Sequence, residues 1–274
     1  MDIPDKTDSM VWRWNGDTLS QRPDELAQEE PLEIRVRGRA ISVTMRTPGQ
    51  DDELAAGFLL TEGIIQSGGD ILRVEHCHRN DFGNVLNVLL APDVMVDFER
   101  LTRHVFASSS CGICGKATIE SVMSQFAPIR SDLVLDAELF AEMPDRMRAA
   151  QATFDRTGGL HAAALFDANG KLIVLREDVG RHNAVDKVIG HCLIHGAIDG
   201  RQVLLVSGRS SFEIVQKALA ARIPVVAAIS APSSLAVSFA RESGMTLIGF
   251  LRGQRMNVYT HPHRLRFSPA ARAV

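Results

Sequence analysis

The sequence predicts a mixed α/β protein, with a small α+β domain followed by a three-layer αβα domain built on a mixed sheet. Residues 31–90 carry two pairs of alternating apolar and polar segments around one helix, whereas the chain from Gly159 onward alternates strands with helices. We therefore expect an N-terminal arm over 1–30, a first domain over 31–150 and a second domain over 151–274.

The composition is that of a globular protein and excludes a disordered or collagen-like chain. Of 274 residues, 45% are hydrophobic, and 30 Lys and Arg against 33 Asp and Glu give a formal net charge of -3. This balance provides no general attraction to nucleic acid or to an anionic membrane, so any anion site must be local. The acidic N-terminus is unlike a secretory signal, and no apolar run approaches the ~18 residues of a membrane span. Four cysteines suit a reducing compartment, so we expect a cytoplasmic protein.

In the first half, the alternation of apolar and polar residues predicts two hairpins, and the acidic residues at 51–53 mark the start of a helix. A Met- and Arg-rich stretch before residue 150 is helical in pattern and bridges to the second half. The expected strands cover 32–37, 40–45, 71–78 and 84–90, and the expected helices cover 51–63 and 128–150.

In the second half, the order of elements predicts a mixed sheet with helices on both faces. Polar loops follow the carboxyl ends of its strands, which is where open α/β sheets bind ligands. The expected strands cover 160–166, 171–176, 203–206, 223–230 and, as the last one, 246–250; the expected helices cover 182–192, 211–221 and 233–243.

One candidate for chemistry is the segment Cys111-Gly-Ile-Cys114-Gly115, which precedes an amphipathic run. A cap at Ser110 would place Cys111 near a helix N-terminus, where the thiol pKa falls and the thiolate becomes a nucleophile. The alternative is a structural zinc site completed from His76-Cys77-His78. The spacing favours an active thiol pair, because no second Cys-x-x-Cys occurs.

Three polar turns form a second candidate, at residues 176–187, 207–213 and 230–234. Small hydroxyls, glycines and helix N-termini at adjacent strand ends are typical of an anion-binding site. Taken alone, the 176–187 segment also fits a capped surface helix stabilised by ion pairs.

The last 34 residues hold six arginines against one acid, a local charge of +5. Arg252 and Arg255 directly follow the expected final strand, where guanidinium groups could bind phosphates. The stretch from Arg264 to Arg272 is interpreted as a solvated basic tail.

These motifs together resemble the formate dehydrogenase accessory sulfurtransferase family, FdhD. The similarity covers about residues 30–265, and the combination is more specific than any single motif. It is carried by Thr47-Pro-Gly, Glu53-Leu-Ala-x-Gly-Phe58, Glu62-Gly-Ile, Cys111-Gly-Ile-Cys-Gly115, Thr157-Gly-Gly-x-His161, Glu177-Asp-Val-Gly-Arg-His-Asn-Ala-x-Asp-Lys187, Ser207-Gly-Arg-x-Ser, Gly249-Phe and Tyr259-Thr.

The resemblance implies a sulfur carrier and sulfurtransferase required for formate dehydrogenase activity. In this family a cysteine desulfurase supplies sulfur as a persulfide, and the sulfur passes to a molybdenum bis(guanine dinucleotide) cofactor bound as cargo. By position, Cys111 would carry the persulfide and Cys114 would assist it. The resemblance also implies a cytidine deaminase-like second domain and a homodimer. The cofactor segment falls on Phe250, Leu251, Arg252, Gly253, Gln254 and Arg255.

A different class of function stays open: a non-catalytic carrier of the cofactor, with Cys111 and Cys114 holding a structural zinc. In the favoured interpretation no permanent metal is expected. Deaminase activity is excluded as an expectation, because the second half lacks the zinc-ligand spacing of those enzymes. The roles of His161, His182 and Lys187 are open at this stage.

Overall fold

The computed structural model describes residues 6–77, 83–98, 123 and 125–268, and it shows a mixed α+β fold with several sheets. In the N-terminal half the elements are β1 (Lys6–Trp14), β2 (Leu19–Ala27), β3 (Glu30–Val36), β4 (Arg39–Arg46), α1 (Asp51–Thr61), β5 (Ile71–His76) and β6 (Val85–Leu90).

The remaining elements begin with β7 (Leu135–Asp136), α2 (Met143–Ala149), α3 (Ala152–Thr157), β8 (His161–Phe166), β9 (Leu172–Asp178) and α4 (Arg181–His195). They continue with β10 (Val203–Val206), α5 (Phe212–Ala220), β11 (Val225–Ala228), α6 (Ser234–Glu242), β12 (Thr246–Arg252), β13 (Arg255–Thr260) and β14 (Leu265–Arg266). Short 3₁₀ helices cover Gly68–Asp70, Ala137–Ala141 and Pro262–Arg264.

The first half forms a four-stranded sheet in the order β4-β3-β6-β5. The predicted hairpin of β3 and β4 is confirmed, with its turn at Arg37 and Gly38, both of which have positive φ. The segment expected to be an extended arm instead forms a separate two-stranded hairpin, β1–β2.

The second half contains a six-stranded sheet in the order β13-β12-β11-β10-β8-β9, and the prediction of a mixed sheet is confirmed. Strands β10, β11 and β12 are parallel, whereas β8, β9 and β13 pair antiparallel with their neighbours. Alternate residues of the central strands face two separate apolar clusters, so the sheet is buried on both sides.

The distribution of helices differs from the prediction. Helices α4, α5 and α6 contribute to one apolar cluster, whereas the other face is covered by α2 and the 3₁₀ helix Ala137–Ala141. The reason is the strand order: β10, β11 and β12 advance in one direction, and crossovers of one hand then place their helices on one face.

Three further expectations are wrong. Strand β12 is not the last one, because β13 folds back on it. Residues 128–150 are not one helix, because Leu133 and Leu135 enter the core outside any helix and β7 pairs with β14 before α2 begins. Arg264 does not belong to a solvated tail, since it is only 3% exposed.

The two halves share one apolar core. Its cluster joins residues of β3, β6 and α1 to residues of the six-stranded sheet and of α4. Helices α1 and α4 cross where Gly57 and Gly190 meet: a Cβ on Gly57 would lie 1.9 Å from the Asp186 carbonyl oxygen, and one on Gly190 would lie 1.8 Å from that of Glu53. Only glycine permits this crossing. In the part of the chain that the structure describes, no helix combines the length and apolarity needed to cross a bilayer.

Candidate functional site

An open groove of about 720 Å³ lies along the β12–β13 hairpin. Of the six residues predicted to bind the cofactor, four line it and two do not. Leu251 is buried in the core beneath the hairpin, and Gly253 forms the turn with a φ of +51°. The lining consists of Phe250, Arg252, Gln254, Arg255, Met256 and Asn257.

Two arginines face each other across the end of this hairpin. Arg252 and Arg255 are directly opposite in the antiparallel register, so their side chains leave the same face of the ribbon. Among the described residues, neither guanidinium has a carboxylate within ion-pair distance. Like charges in this position repel each other. The arrangement therefore favours an anion bound between them.

Phe250 enters the groove from a strained backbone position. Its φ is +54°, which is costly for a residue with a bulky side chain, and the ring is 42% exposed. The preceding Gly249 fits because a Cβ there would lie 2.9 Å from Pro232 Cδ. Strain of this kind is characteristic of binding sites.

The turns after β10 and β11 adjoin each other and the C-terminal part of β12 at one edge of the sheet. The backbone N–H of Ser233 donates to the Ser210 carbonyl oxygen (3.0 Å), and that of Phe250 donates to the Ser230 carbonyl oxygen (3.1 Å). The side chain of Ser210 is fully buried, and its Oγ has no hydrogen-bond partner in the described chain. Two of the predicted polar turns, 207–213 and 230–234, are thus contiguous with the hairpin groove.

His161 lies beside the first of these turns, with its Nδ1 3.5 Å from the position of a Cβ on Gly208. Burial lowers the pKa of His161, and the neighbouring Arg181 and His182 lower it further, so the ring is neutral at pH 7. The Arg181 Nε is buried without a hydrogen-bond partner in the described residues.

His182 belongs to the same edge and lies 3.0 Å from a Glu213 carboxylate oxygen and 3.3 Å from Ser211 Oγ. The hydrogen bond from His182 lowers the pKa of Glu213 against the opposing effect of burial. This pair fixes the N-terminal end of α5 next to the Ser207–Ser211 turn.

The third predicted turn, 176–187, has a mainly structural role. Arg176 binds both oxygens of Glu53, with its Nε at 2.5 Å and its Nη2 at 2.7 Å, and Nη2 also lies 3.0 Å from His191 Nδ1. Ligand atoms of Glu53, His191 and His195 lie within 4.8 Å of one another, a spacing that could hold a metal ion. Arg176 already uses the Glu53 carboxylate, so a cation would have to displace it.

Lys187 of the same segment is also a structural residue. It is fully buried, and its Nζ lies 2.8 Å from an Asp178 carboxylate oxygen and donates to the Thr47 carbonyl oxygen at 2.8 Å. A second buried pair, Asp186 with Lys217 of α5, follows at 2.8 Å. The Lys187–Thr47 contact joins the first half to the second, and within the two ion pairs the charges compensate each other.

Comparison with known proteins identifies the family. A model of the FdhD/NarQ family matches residues 27–266. The chain belongs to the FdhD/NarQ family. It is 51% identical to the sulfur carrier protein FdhD of Streptomyces avermitilis over 274 residues, which is 95% of this chain and 96% of the relative. It is 53% identical to that of Mycobacterium tuberculosis over 262 residues, which is 92% of this chain and 95% of the relative.

A solved structure agrees with this assignment. A putative formate dehydrogenase accessory protein from Desulfotalea psychrophila superposes with a TM-score of 0.78 at 26% identity, covering 96% of this chain and all of that one. The resemblance to the FdhD family read from the motifs is confirmed. The edge, the groove and the inter-half contacts described above therefore belong to the fold of an FdhD/NarQ protein.

Cys111 and Cys114 lie outside the described residues, as does His78 of the alternative zinc site. His76 is described, and its Nε2 lies 3.2 Å from an Asp52 carboxylate oxygen. Cys77 is partly buried. Cys192 is buried, and this burial raises the pKa of its thiol to about 12. Cys192 is therefore a protonated core residue with no nucleophilic thiolate at neutral pH.

Sequence reasoning missed Met256 and Asn257 of the groove, because it placed no strand after residue 250. The signal was present: Gly253-Gln254 is a suitable two-residue turn, and apolar Met256, Val258 and then Thr260 alternate with other residues after it.

Proposed function

We propose that this chain is a sulfur carrier and sulfurtransferase that serves formate dehydrogenase. It accepts sulfur from a cysteine desulfurase as a persulfide on Cys111, with Cys114 as the assisting thiol. It passes the sulfur to a molybdenum bis(guanine dinucleotide) cofactor before that cofactor enters the dehydrogenase. Family membership and the names of the relatives support the sulfur-carrier part.

The observation that carries the cofactor part is the unpaired, face-to-face arrangement of Arg252 and Arg255. Guanidinium groups bind phosphate oxygens in bidentate geometry, and an anion between them removes the repulsion that they otherwise suffer. Gln254 and Asn257 add amide groups to the same groove, and the exposed Phe250 ring offers a surface on which a guanine base can stack. A polyanionic dinucleotide is the ligand class that fits these groups.

The chemistry of loading and delivery balances with thiols alone. A Cys111 thiolate attacks the terminal sulfur of the desulfurase persulfide, forming the new S–S bond and releasing the desulfurase thiolate. When the cargo is bound, a Cys114 thiolate attacks Cys111 Sγ, which forms a Cys111–Cys114 disulfide and releases the terminal sulfur as hydrosulfide for the metal of the cargo. Cellular dithiol reductants restore the pair.

The proposal includes a homodimeric cytoplasmic protein and a second half similar to the cytidine deaminase fold without deaminase chemistry. The six-stranded mixed sheet with α4, α5 and α6 on one face is compatible with that fold likeness.

Intact-mass measurement tests the sulfur part. The protein is incubated with a cysteine desulfurase and cysteine, without reductant. We expect the mass to increase by one sulfur atom, which a reductant removes. This increase should be absent in Cys111→Ala and retained in Cys192→Ala, because the Cys192 thiol of the wild type is buried. An equal gain in Cys111→Ala would contradict the assignment. No gain together with one zinc per chain held by the thiols would support the non-catalytic carrier.

Binding of GDP tests the groove. We expect Arg252→Ala with Arg255→Ala to weaken the binding affinity for GDP at least tenfold, because two charge-assisted contacts are lost. Persulfide loading on Cys111 should be unchanged. The matched control is Arg13→Ala with Arg22→Ala, which removes two exposed arginines from the β1–β2 hairpin. Unchanged GDP affinity in the first double variant would exclude this segment as the nucleotide site.

A further inference from the structure

A second open groove, of about 640 Å³, lies at the opposite end of β12 from the hairpin groove. Arg264 lines it and reaches Thr246, the first residue of β12, whereas Arg252 is the last residue of that strand. Seven residues of strand place the two grooves about 20 Å apart. The lining includes Arg130, Asp132, Gly244, His261, His263 and Arg264.

Arg264 is buried without a counter-charge. Its side chain is 3% exposed, Nη1 donates to Thr246 Oγ1 at 3.2 Å, and Nε is buried with no hydrogen-bond partner in the described residues. Burial lowers the pKa of this guanidinium. An unpaired buried charge is among the most unfavourable arrangements in a protein interior.

The other buried cations differ from Arg264 because each of them contacts a carboxylate. Arg46 contacts Asp51 through Nε and Nη2, both at 2.9 Å. Lys187 and Lys217 each have a carboxylate oxygen at 2.8 Å. Among the buried cationic side chains of the described chain, Arg264 alone has no carboxylate within ion-pair distance.

The rest of the groove is predominantly basic. Arg130 and His263 are exposed along its rim, and His261 stacks edge-to-face on His263 with ring centroids 5.5 Å apart. The His261 Nε2 lies 3.0 Å from the Arg241 carbonyl oxygen, so this nitrogen carries a proton. Asp132 is the one carboxylate in the lining. Two guanidinium groups against one acid give the lining a net positive charge, and the imidazoles add hydrogen-bonding groups for an anion.

We propose that the Arg264 groove binds a phosphate group, with the Arg264 guanidinium as its buried anchor and Arg130 and His263 at its rim. A tetrahedral dianionic oxyanion matches a guanidinium edge and supplies the missing counter-charge. Inorganic phosphate and the phosphate group of a small metabolite share this chemistry. This site is independent of the cofactor groove proposed above.

The experiment is a thermal-unfolding titration of the full chain with inorganic phosphate at constant ionic strength. It is carried out in the Arg252→Ala with Arg255→Ala background, so that phosphate bound in the hairpin groove does not contribute. We expect a saturable rise of the midpoint with phosphate, because a ligand that binds the folded state stabilises it. Sulfate should act similarly and acetate should not.

Adding Arg264→Met should raise the half-saturating phosphate concentration at least tenfold. Because that variant alters a buried position, Arg130→Ala with His263→Ala provides a second measurement on exposed residues, with an expected rise of at least threefold. A saturable rise that is the same in all three proteins, or no saturable rise in the background protein, would overturn the proposal. Acetate acting as strongly as phosphate would overturn the assignment of a phosphate group.

Discussion

The contact between α1 and α4 and the β12–β13 hairpin are both rich in charged residues, yet they differ in how those charges are balanced. In and around the helix contact, the carboxylates of Glu53, Asp178 and Asp186 each have a cationic partner: Arg176, Lys187 and Lys217, respectively. In the hairpin, Arg252 and Arg255 face each other, and no carboxylate of the described residues lies within ion-pair distance of either one. The comparison teaches that compensated charges join the parts of this fold, whereas the uncompensated ones lie where we propose that a ligand binds.

The largest effect is expected for Lys187→Met. The substitution leaves the fully buried Asp178 carboxylate without its cation, which should cost about 3–5 kcal/mol of unfolding free energy. Urea denaturation measures this loss. Lys171→Met on the exposed β8–β9 turn serves as the control and should change stability by less than about 0.5 kcal/mol. A loss below about 1 kcal/mol for Lys187→Met would show that the contact tolerates uncompensated charge.

Gly190→Ala tests the close approach of the same two helices. A methyl group would lie 1.8 Å from the Glu53 carbonyl oxygen, so α1 and α4 must separate, at a cost of about 3 kcal/mol. The matched control is Gly69→Ala, where the nearest atom to the added Cβ is Ser67 Oγ at 3.5 Å. Equal midpoints of thermal unfolding for the two variants would contradict the helix crossing.

Glu53→Gln tests whether the Arg176 and His191 contacts are ionic. Burial alone would raise the pKa of Glu53, but hydrogen bonds from Arg176 and His191 outweigh it, so the pKa lies below its ordinary value of 4.5. An acid with a lowered folded-state pKa contributes stability that is present above its unfolded pKa and is lost as pH falls through the folded one.

We therefore expect the wild type to lose stability between pH 6 and pH 3 more steeply than Glu53→Gln, which is already about 2 kcal/mol less stable at pH 7. Urea midpoints at several pH values measure both quantities. Parallel pH profiles for the two proteins would show that the Glu53 carboxylate contributes no charge-dependent stability.

The smallest stability effect is expected at the hairpin, and its sign is opposite. Arg252→Ala with Arg255→Ala removes a repulsion between neighbours, so the ligand-free protein should be unchanged or stabilised by about 0.5 kcal/mol. Urea denaturation without nucleotide measures this. A loss above about 1 kcal/mol would mean that these arginines stabilise the fold and would weaken the contrast drawn above.

Local sequence pattern was enough to predict most of the strands and helices. The apolar run at 203–206 is a strand with those limits, and the helix predicted from Asp51 begins at that residue. The pattern failed where tertiary contact decides. Leu133 and Leu135 lie outside any helix because their side chains fill the space under the sheet, which no helical periodicity reveals.

The candidate site was predictable only in part, for a related reason. Arg252 and Arg255 stand out because no acid is nearby in sequence. The segment 176–187 looked equally suited to a ligand. However, its Lys187 donates a hydrogen bond to the Thr47 carbonyl oxygen, which lies 140 positions away in the sequence. For Arg264 the prediction was wrong in the opposite direction. The residue was expected to be solvated but is buried, and nothing in the adjacent sequence indicates this burial. Charge compensation is a property of the folded molecule.

The core shared between the two halves also constrains how the chain can be made. Helix α1 is complete at Thr61, but the helix on which it packs ends at His195. At about 5–20 residues per second, a ribosome needs roughly 7–27 s to synthesise the intervening stretch. During that time the face of α1 that packs on α4 has no partner, whereas β3, which shares the cluster with α1, precedes it in the chain, and β6 of the same cluster follows early in the interval. The shared core is therefore completed only when the C-terminal half of the chain arrives.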